Sequence, residues 1–521
     1  MAAPTKQTSR FDREMIADLP PLAWLFESTP DGKGRLLHGC AVEMREDGFY
    51  EGCMASERQD DPREAAEIFG SGLCTRDNRR VFLTASHTFE SLYLHRFKGT
   101  WSISNSLAFL MAHRNLKPLW NPCYGERFAT VCYGIDAYDK RPLQVTEGEL
   151  FRLIYDNIEV MPDGQFRLIR KPMPPAFSSF DEYTAYIEKT LKLAFQDGSR
   201  EDRSFQYRPL TTCSSGYDSS CAATLAARLG CQEAITLSDC RGGERDSGKP
   251  ICESLGLHAH ERPRPDRADG TFAEIAPFLA NGMGGEDYWL STFGKLLPAR
   301  ILLTGFHGGV VWHLRTYPST TLVTLDTSGS TIQEFRLIEN FVNVPLPMIG
   351  ARRHPEISQI SYSEEMSAFR LYTEYDRPIP RRIMEEAGVG RKLFGQIKKA
   401  ASLQLFLYGG LLAKNARRKA STLVPRNWVY RAKFGWRAIE WTLRKKAFGF
   451  LMRCCGWLPH NDELARILVS DWRIAEHGHP RCSLDFLAGL RFVTQEYQVA
   501  LSSTDKKDKH SRVSAVTESN Q

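Results

Sequence analysis

The sequence predicts two folded parts, a mostly-β N-terminal part and an α/β part built on a parallel sheet, followed by a helical extension. The chain has 521 residues, whereas a single domain usually takes about 100–200. Up to about residue 171, short strand patterns alternate with turn signals such as Asp31-Gly32 and Asp163-Gly164. Beyond Tyr207, strand patterns alternate with helical patterns that end at glycine, which is typical of βαβ units.

The composition is that of an ordinary globular protein. Hydrophobic residues make up 42% and charged residues 25%, which excludes wholesale disorder, collagen and coiled coil. No apolar run approaches the roughly 18–20 residues of a membrane span. The 13 cysteines show no CxxC spacing, and the first residues lack the apolar segment of a secretory signal. We therefore expect reduced thiols and a cytoplasmic protein, with peripheral membrane association as the alternative.

The first predicted domain covers residues 1–175. Residues 1–15 are expected to form a solvated arm, and the Pro-rich segment 171–175 a linker. Between them, β-rich patterns bounded by turn residues predict strands. The clearest are Leu36–Met44, Arg80–Thr84, Leu92–Phe97 and Phe166–Ile169.

The second predicted domain covers residues 176–405. It opens with a helix over Asp181–Asp197, whose apolar residues recur at helical spacing. Alternating strands and helices follow, and residues 360–400 have a charged, helical pattern. The predicted elements are strand Leu210–Cys213, helix Tyr217–Leu229, strand Glu233–Asp239, helix Asp246–Leu255 and strand Arg300–Gly305.

The most informative segment reads Cys213-Ser-Ser-Gly-Tyr-Asp-Ser-Ser-Cys221, a strand that turns directly into a helix. Backbone amides in such a turn, together with the helix N-terminus, can bind an anion. Ser214 and Ser219 add hydroxyl donors, and Gly216 permits close approach of a ligand to the backbone. Asp218 would disfavour a bare phosphate but could hold a Mg²⁺ ion that phosphates share. The alternative is a Ser/Asp helix cap after a buried strand.

This spacing resembles the SGGxDS pyrophosphate loop of the N-type ATP pyrophosphatases, above all the synthetase domain of asparagine synthetases. Several further segments are similar to that family, and the resemblance covers roughly residues 20–400. They are Ser102–Ala108, Leu143–Glu149, Ile235–Asp239, Asp246 with Ile251–Leu257, Ile301–Gly305 and the later Ser483–Val493. The resemblance implies an Ntn-like glutaminase fold for the first domain and an adenine nucleotide α-hydrolase-like fold for the second.

The resemblance also implies an ATP-dependent, AMP-forming ligase that adenylates a carboxylate and passes it to an amine. ATP and Mg²⁺ would be its cofactors, and a small-molecule acid and amine its substrates. Ser214, Ser215, Gly216, Asp218, Ser219, Asp239 and Gly305 would bind the nucleotide, and Asp218 with Glu286 the metal. The catalytic cation would come from the segments 376–381 and 391–399, with Lys398 and Arg391 as the candidates.

The sequence departs from the family at several positions. Met1 is followed by Ala2, and the first cysteine, Cys40, falls in a strand pattern and is expected to pack, so no glutaminase is predicted. The amine would then not be ammonia released from glutamine. Ser215 replaces a glycine, which would cost ~1 kcal/mol if the position needed a positive φ.

A second departure concerns the loop after strand Arg300–Gly305. Gly309 and Val310 occupy the positions where the family carries adjacent metal-binding acids. Glu286 and Asp287 could compensate, or could simply cap the helix that follows them. His307 could face phosphate, although a loop histidine is more often solvated.

Two other functions remain open at this point. The missing acids favour a degenerate protein that binds nucleotide, or nothing, and acts as a scaffold or as a partner docked on a membrane surface. A sulfur transferase is the lesser alternative, because Cys213 and Cys221 flank the loop, although both are expected to be buried.

The stretch 411–457, within an extension predicted over 406–500, is strongly basic. It carries twelve Lys and Arg residues against one acid, Glu440, so the remainder of the chain has a net charge of −5 while the whole has +6. Trp and Phe residues are interleaved with the charges, a pattern typical of helices on anionic membrane surfaces. A cap on the second domain and a nucleic-acid surface are the alternatives, and no specific nucleic acid is predicted. Residues 501–521 are polar and are expected to be disordered.

Overall fold

The fold was analysed in a computed structural model. It describes residues 11–56, 61–76, 79–265, 271–324, 326–402, 435–447 and 478–518. Antiparallel sheets form the N-terminal part and a parallel sheet the second part, so the mixed α/β class predicted from the sequence is confirmed.

The N-terminal part is a sandwich of two six-stranded sheets. The first sheet has the order β1-β3-β2-β9-β8-β10 and the second the order β12-β11-β7-β6-β5-β4. Apart from the parallel pair β1 and β3, neighbouring strands run antiparallel. The strands are β1 (Asp12–Met15), β2 (Trp24–Glu27), β3 (Arg35–His38), β4 (Glu43–Met44), β5 (Gly48–Met54), β6 (Ile68–Arg76), β7 (Arg79–Leu83), β8 (Leu92–Phe97), β9 (Thr100–Ser104), β10 (Glu149–Leu153), β11 (Asn157–Val160) and β12 (Phe166–Ile169).

An aromatic core fills the space between these two sheets. Trp24, Phe26 and Trp101 from the first sheet pack with Phe49 and Phe82 from the second. Such alternation of inward apolar side chains on facing strands is how two sheets bury a common core.

The second part is built on a five-stranded, wholly parallel sheet of order β15-β14-β13-β16-β17. Each crossover between successive strands contains helical structure, as parallel strands require. The direction of strand addition reverses between β13 and β16, the kind of position where ligands bind in open α/β sheets. The strands are β13 (Arg208–Thr212), β14 (Glu233–Leu237), β15 (His258–Arg262), β16 (Arg300–Thr304) and β17 (Phe341–Pro345).

Helices cover the sheets, and α3 is shared between the two parts because it packs on β5 as well as on β13. The helices are α1 (Leu107–His113), α2 (Tyr124–Ala129), α3 (Phe180–Gly198), α4 (Tyr217–Arg228), α5 (Lys249–Ser254), α6 (Phe272–Leu279), α7 (Gly308–Val311), α8 (Gln333–Glu339), α9 (His354–Tyr362) and α10 (Pro378–Glu386), then the C-terminal helix Pro480–Glu518 and a helical segment 435–447. Short 3₁₀ helices lie at Pro62–Glu64, Thr130–Tyr133, Tyr288–Leu296, Leu346–Met348, Ala351–Arg353 and Glu364–Phe369.

Two predictions for the N-terminal part are wrong. The arm predicted over 1–15 contains β1, preceded by Phe11, which is buried against Phe26 and Phe49. The strand predicted over Leu36–Met44 divides into β3 and β4, because the chain leaves the sheet at Gly39 to pack against the Pro20 and Pro21 carbonyls. Cys40 is therefore exposed in a turn and not packed in a strand.

The helical prediction for residues 360–400 holds only in part. Asp376 binds the amides of Leu371 and Tyr372 at 2.6 and 2.7 Å, which holds that stretch as a loop. Helix α10 then begins at Pro378, a residue suited to the first turn, and ends before Gly388, which has a φ of +80°.

The C-terminal helix also differs from the prediction of a disordered tail over 501–521, since it continues to Glu518. It packs against α1 and α6. Tyr497 stacks on Phe109 of α1 with ring centroids 5.0 Å apart. The Tyr497 hydroxyl donates to Glu334 of α8 at 2.7 Å, and Glu334 also accepts from Ser106 at 2.8 Å. Burial raises the pKa of Glu334 to about 7.

A buried arginine joins the two parts of the molecule. Arg336 of α8 makes a bidentate pair with Glu51 of β5, at 2.7 and 2.9 Å, and contacts Glu90 at 2.8 Å. Its side chain is 1% exposed, and those of Glu51 and Glu90 are 0% and 6% exposed. Glu51 also accepts from Ser71, which in turn accepts from the Trp24 indole, so the network reaches both sheets of the sandwich.

Replacing Arg336 by methionine should destabilise the protein by about 3–5 kcal/mol, because two carboxylates would remain buried without their cation. Denaturant unfolding followed by circular dichroism and tryptophan fluorescence measures the change. Arg391→Met is the matched control, since Arg391 pairs with Glu385 while 55% exposed, and such pairs contribute about 0–1 kcal/mol. Equal unfolding midpoints for the two variants would contradict the central role of Arg336.

Candidate functional site

A cleft of about 260 Å³ lies at the carboxyl ends of β13, β14 and β16. It coincides with the reversal of strand order between β13 and β16, so its position follows from the topology. The loop that begins at Cys213 and the first turn of α4 form one wall, and the segment 304–309 forms another.

The hydroxyl groups of the loop are held by hydrogen bonds within the loop and to Asp246. Ser214 Oγ lies 2.7 Å from Ser219 Oγ and accepts from the Gly216 amide at 3.1 Å. Asp246 Oδ1 accepts from the Ser215 hydroxyl at 2.6 Å and from its amide at 3.3 Å. Ser215 does not have a positive φ, so the strain considered from the sequence does not arise. Burial raises the pKa of Asp246.

The N-terminus of α4 has backbone donors that form no hydrogen bond within the described residues. The Tyr217 amide donates to the Tyr375 hydroxyl at 3.4 Å. The next two amides, of Asp218 and Ser219, have no hydrogen-bond acceptor among the described residues. Helix N-termini with open amides favour anionic ligands.

Gly305, at the end of β16, lies directly against this N-terminus. A Cβ atom at Gly305 would come within 2.5 Å of both the Asp218 carbonyl carbon and the Ser219 nitrogen. The absence of a side chain therefore sets the close packing of β16 on α4. Gly216 is different, because a Cβ there would meet only side-chain oxygens, at 3.3 Å or more.

Asp218 does not face an open metal position. Its carboxylate forms an ion pair with Arg377, whose side chain is 3% exposed. A Cβ atom at Gly309 would lie 2.8 Å from Nη2 of Arg377, so the guanidinium occupies the space beside Gly309. Burial opposes the charge, but Asp218 and Tyr375 together raise the pKa of Arg377.

The other acids near the cleft are also engaged. Glu286 accepts from the Thr327 hydroxyl at 2.9 Å and lies outside the residues that line the cleft. Capping of the following helical segment was one of the two roles that the sequence allowed for Asp287, but its side chain makes no such cap. It accepts from the amides of Gly329 and Thr331 instead, and burial raises its pKa to about 6.

Magnesium therefore fits poorly. Within the described part of the chain, no three His, Cys, Asp or Glu side chains come together as a metal site. Mg²⁺ prefers carboxylate and water oxygens in an octahedral shell. Here the carboxylate of Asp218 has a guanidinium partner, and Glu286 is not beside it. The donor set does not fit an ion held by Asp218 and Glu286.

The two predicted catalytic cations separate in the structure. Lys398 lines the cleft, whereas Arg391 lies outside its lining and pairs with Glu385 at 2.8 Å. Lys399, which the sequence did not single out, also lines the cleft and lies 3.4 Å from the Ser215 hydroxyl. Asp239 likewise falls outside the lining. It accepts from the Ser238 hydroxyl at 2.7 Å.

His307 is buried and not solvated as expected. Its ring meets Phe89 edge to face at 4.5 Å, and Nε2 lies 3.0 Å from the Ser328 carbonyl oxygen. Burial lowers its pKa. With a φ of +66° it sits in the left-handed region, which forms the sharp turn into α7.

The two cysteines that flank the loop are buried. A hydrogen bond with Cys252 and burial raise the pKa of Cys213, and burial raises the pKa of Cys221. A sulfur transferase needs an accessible thiolate, so this environment supports a packing role for both.

Arg377 is the main residue of the site that the sequence did not identify. It belongs to the segment 376–381, which was considered as a source of the catalytic cation. Its signal was weak, because an arginine before Pro378 at a helix start commonly lies in solvent. Its pairing depends on Gly309, 68 residues earlier, and neither residue indicates the other along the chain.

Comparisons with known proteins add no identification. No family model matches the chain. No curated protein matches it either.

Replacing Gly305 by alanine should destabilise the protein by about 1–3 kcal/mol, since the new methyl group would overlap the backbone at the start of α4. Thermal unfolding measures the effect, and hydrogen exchange in α4 localises it. Gly390→Ala is the control, because a Cβ there would meet only Leu393, at 3.8 Å. If both variants unfold at the same temperature, the close approach of β16 to α4 is not a constraint.

Proposed function

We propose that the cleft binds ATP and that the protein is an AMP-forming ligase, which adenylates a carboxylate and transfers it to an amine. The observation that carries the proposal is that three cationic side chains and a helix N-terminus line one cleft. Arg377, Lys398 and Lys399 line the same cleft as the first turn of α4. The finer family-level folds predicted from the resemblance, Ntn-like and adenine nucleotide α-hydrolase-like, are part of this proposal.

Part of the cleft lining is apolar and suits a purine. Ile235 and Leu237 at the end of β14 line it, together with Ala401. The segment around Ala401 is held over the sheet by Arg264, whose Nε donates to the Ala401 carbonyl at 2.9 Å. A cleft with both apolar and cationic lining residues matches the two halves of a nucleotide.

In the proposed reaction, a carboxylate oxygen attacks the α-phosphorus of ATP. The bond from the α-phosphorus to the bridging oxygen breaks, and pyrophosphate leaves with that electron pair. Arg377 and Lys399 would balance the charge on the leaving group. The amine then attacks the acyl carbon, loses a proton, and AMP departs, with Lys398 stabilising the charge that develops on the carbonyl oxygen.

The alternative is a nucleotide-binding scaffold without catalysis. One observation favours it: the amides of Ser215, Gly216 and Tyr217 already have acceptors within the protein. Phosphate binding at these three amides would require the Asp246 carboxylate, the Ser214 hydroxyl and the Tyr375 hydroxyl to give way. Binding of ATP without turnover would be the outcome in that case.

Exchange of radiolabelled pyrophosphate into ATP, with a panel of amino and hydroxy acids, tests adenylation. Hydroxylamine in place of the natural amine traps the acyl group as a hydroxamate. We expect Lys398→Ala to slow hydroxamate formation by about 10²–10³-fold, the usual loss for one electrostatic stabiliser, while exchange continues.

Arg391→Ala is the matched control for that experiment, because Arg391 is a neighbouring cation outside the cleft lining, and it should behave as the wild type. ATP binding with no exchange for any acid would favour the scaffold. Equal losses in both variants would remove Lys398 from the mechanism.

We further propose that the basic stretch binds an anionic membrane surface at the periphery. Most of 411–457 lies outside the described residues, but 435–447 is helical. Trp436, Ile439 and Leu443 are 75%, 56% and 62% exposed, and their spacing places them on one face. Arg437 and Arg444 pair with Glu126 of α2 instead. None of the described helices is long and apolar enough to cross a bilayer.

Sedimentation with phosphatidylserine vesicles at low salt should recover the protein in the pellet, and the double variant Trp436→Ser/Leu443→Ser should reduce that fraction, because the rings and alkyl chains would no longer enter the headgroup region. Val499→Ser, at a residue 66% exposed on the C-terminal helix, is the control. Failure of the wild type to sediment, or equal loss in the control, would rule out this surface.

A further inference from the structure

We infer that the guanidinium of Arg377 replaces a divalent metal in this cleft, so that the phosphates of the nucleotide are bound without Mg²⁺. The inference rests on the proposed nucleotide binding and goes beyond it by assigning the phosphate-binding cation. Asp218 becomes a residue that positions Arg377 and not a metal ligand.

The space for this cation is created by the chain itself. Gly309 has no side chain, and the volume that a Cβ atom would need lies 2.8 Å from Nη2 of Arg377. Gly308 is equally close to the other partner, since a Cβ there would lie 2.3 Å from Cγ of Asp218. Two adjacent glycines thus leave room for an arginine–carboxylate pair where larger side chains would exclude it.

Arg377 is held in place before any ligand arrives. It precedes Pro378 at the start of α10, and its guanidinium lies 5.0 Å from the centre of the Tyr375 ring. Its neighbour Asp376 fixes the approaching loop through the amides of Leu371 and Tyr372. A cation whose position is already fixed by neighbouring side chains needs little reorganisation to bind an anion.

The guanidinium of Arg377 has a donor that forms no hydrogen bond within the described residues. Its Nε has no hydrogen-bond acceptor among the described residues, although the side chain is only 3% exposed and lines the cleft. A buried donor without an acceptor costs free energy that a ligand oxygen would recover. A planar guanidinium can donate two parallel hydrogen bonds to two oxygens of one phosphate, so arginine is well suited to bind phosphate.

Three cationic and four acidic side chains line the cleft, and each of the acids has a partner within the protein. Lys398 and Lys399 line it beside Arg377, and the carboxylates of Asp246, Asp287 and Asp326 have hydrogen-bond donors within the protein. A polyphosphate would therefore meet three cationic side chains.

The decisive experiment is calorimetric titration of the full-length protein with ATP, once with excess Mg²⁺ and once with EDTA. We expect the two Kd values to differ by less than about tenfold, or about 1.4 kcal/mol. A larger loss of affinity in EDTA overturns the inference and leaves ATP binding itself intact. Absence of binding in both conditions overturns the proposed function, and the inference with it.

Two variants separate a metal ligand from a positioning residue. Asp218→Asn should retain ATP binding in EDTA, because the contacts with the Tyr375 ring and Gly309 still position the guanidinium and no metal ligand is lost. If Asp218 instead held Mg²⁺, the variant would lose affinity only in the presence of the metal, which contradicts the inference.

The double variant Arg377→Ala/Gly309→Asp supplies the reciprocal test. It removes the cation and places a second carboxylate near Asp218, so ATP binding should become dependent on Mg²⁺, with a loss of at least about tenfold in EDTA. Gly390→Ala is the control and should bind ATP as the wild type does in both conditions. A folded double variant, verified by circular dichroism, that still binds ATP equally in both conditions contradicts the assignment.

Discussion

The molecule depends first on the buried pairing of Arg336 with Glu51 and Glu90. A guanidinium that is 1% exposed cannot leave its carboxylates without stranding charge in the interior. Because Glu51 lies in the sandwich and Arg336 in α8, the parallel sheet is held at a defined orientation to the antiparallel sheets. Glu334, two residues before Arg336, extends the same junction to Tyr497 of the C-terminal helix.

The cleft contains a second arginine–carboxylate pair. Asp218 and Arg377 form this ion pair, in which the arginine side chain is 3% and the aspartate side chain 23% exposed. Asp218 lies in the first turn of α4, after β13, and Arg377 directly precedes α10. The two pairs differ in one respect that bears on function. Arg336 has carboxylates on two sides, whereas Arg377 has one carboxylate partner and is among the residues that line the cleft. The first pair suits a structural role, and the second leaves capacity for a ligand.

Local sequence patterns predicted the fold well where all the signals lie within one strand, helix or turn. The strand and helix around the loop at 213–219 were located to within a residue or two, since apolar periodicity, the Gly230 cap and the Ser/Gly turn are all local signals. Residues that depend on distant partners could not be predicted. Arg377 occupies the space beside Gly309, and Glu286 accepts a hydrogen bond from Thr327. Both partners are distant in sequence, so neither contact can be predicted from the local pattern.

Helix α3 carries a consequence for how the chain can be divided. The linker predicted at 171–175 suggests a place to divide the chain, yet α3 begins at Phe180 and covers β5 of the sandwich, where Tyr50 donates to Asp197 at 3.1 Å. A fragment ending at the linker would lose that cover, and the remaining fragment would display the apolar side of α3 to water. Exchange of either half for an unrelated module would therefore require replacement of this helix as well.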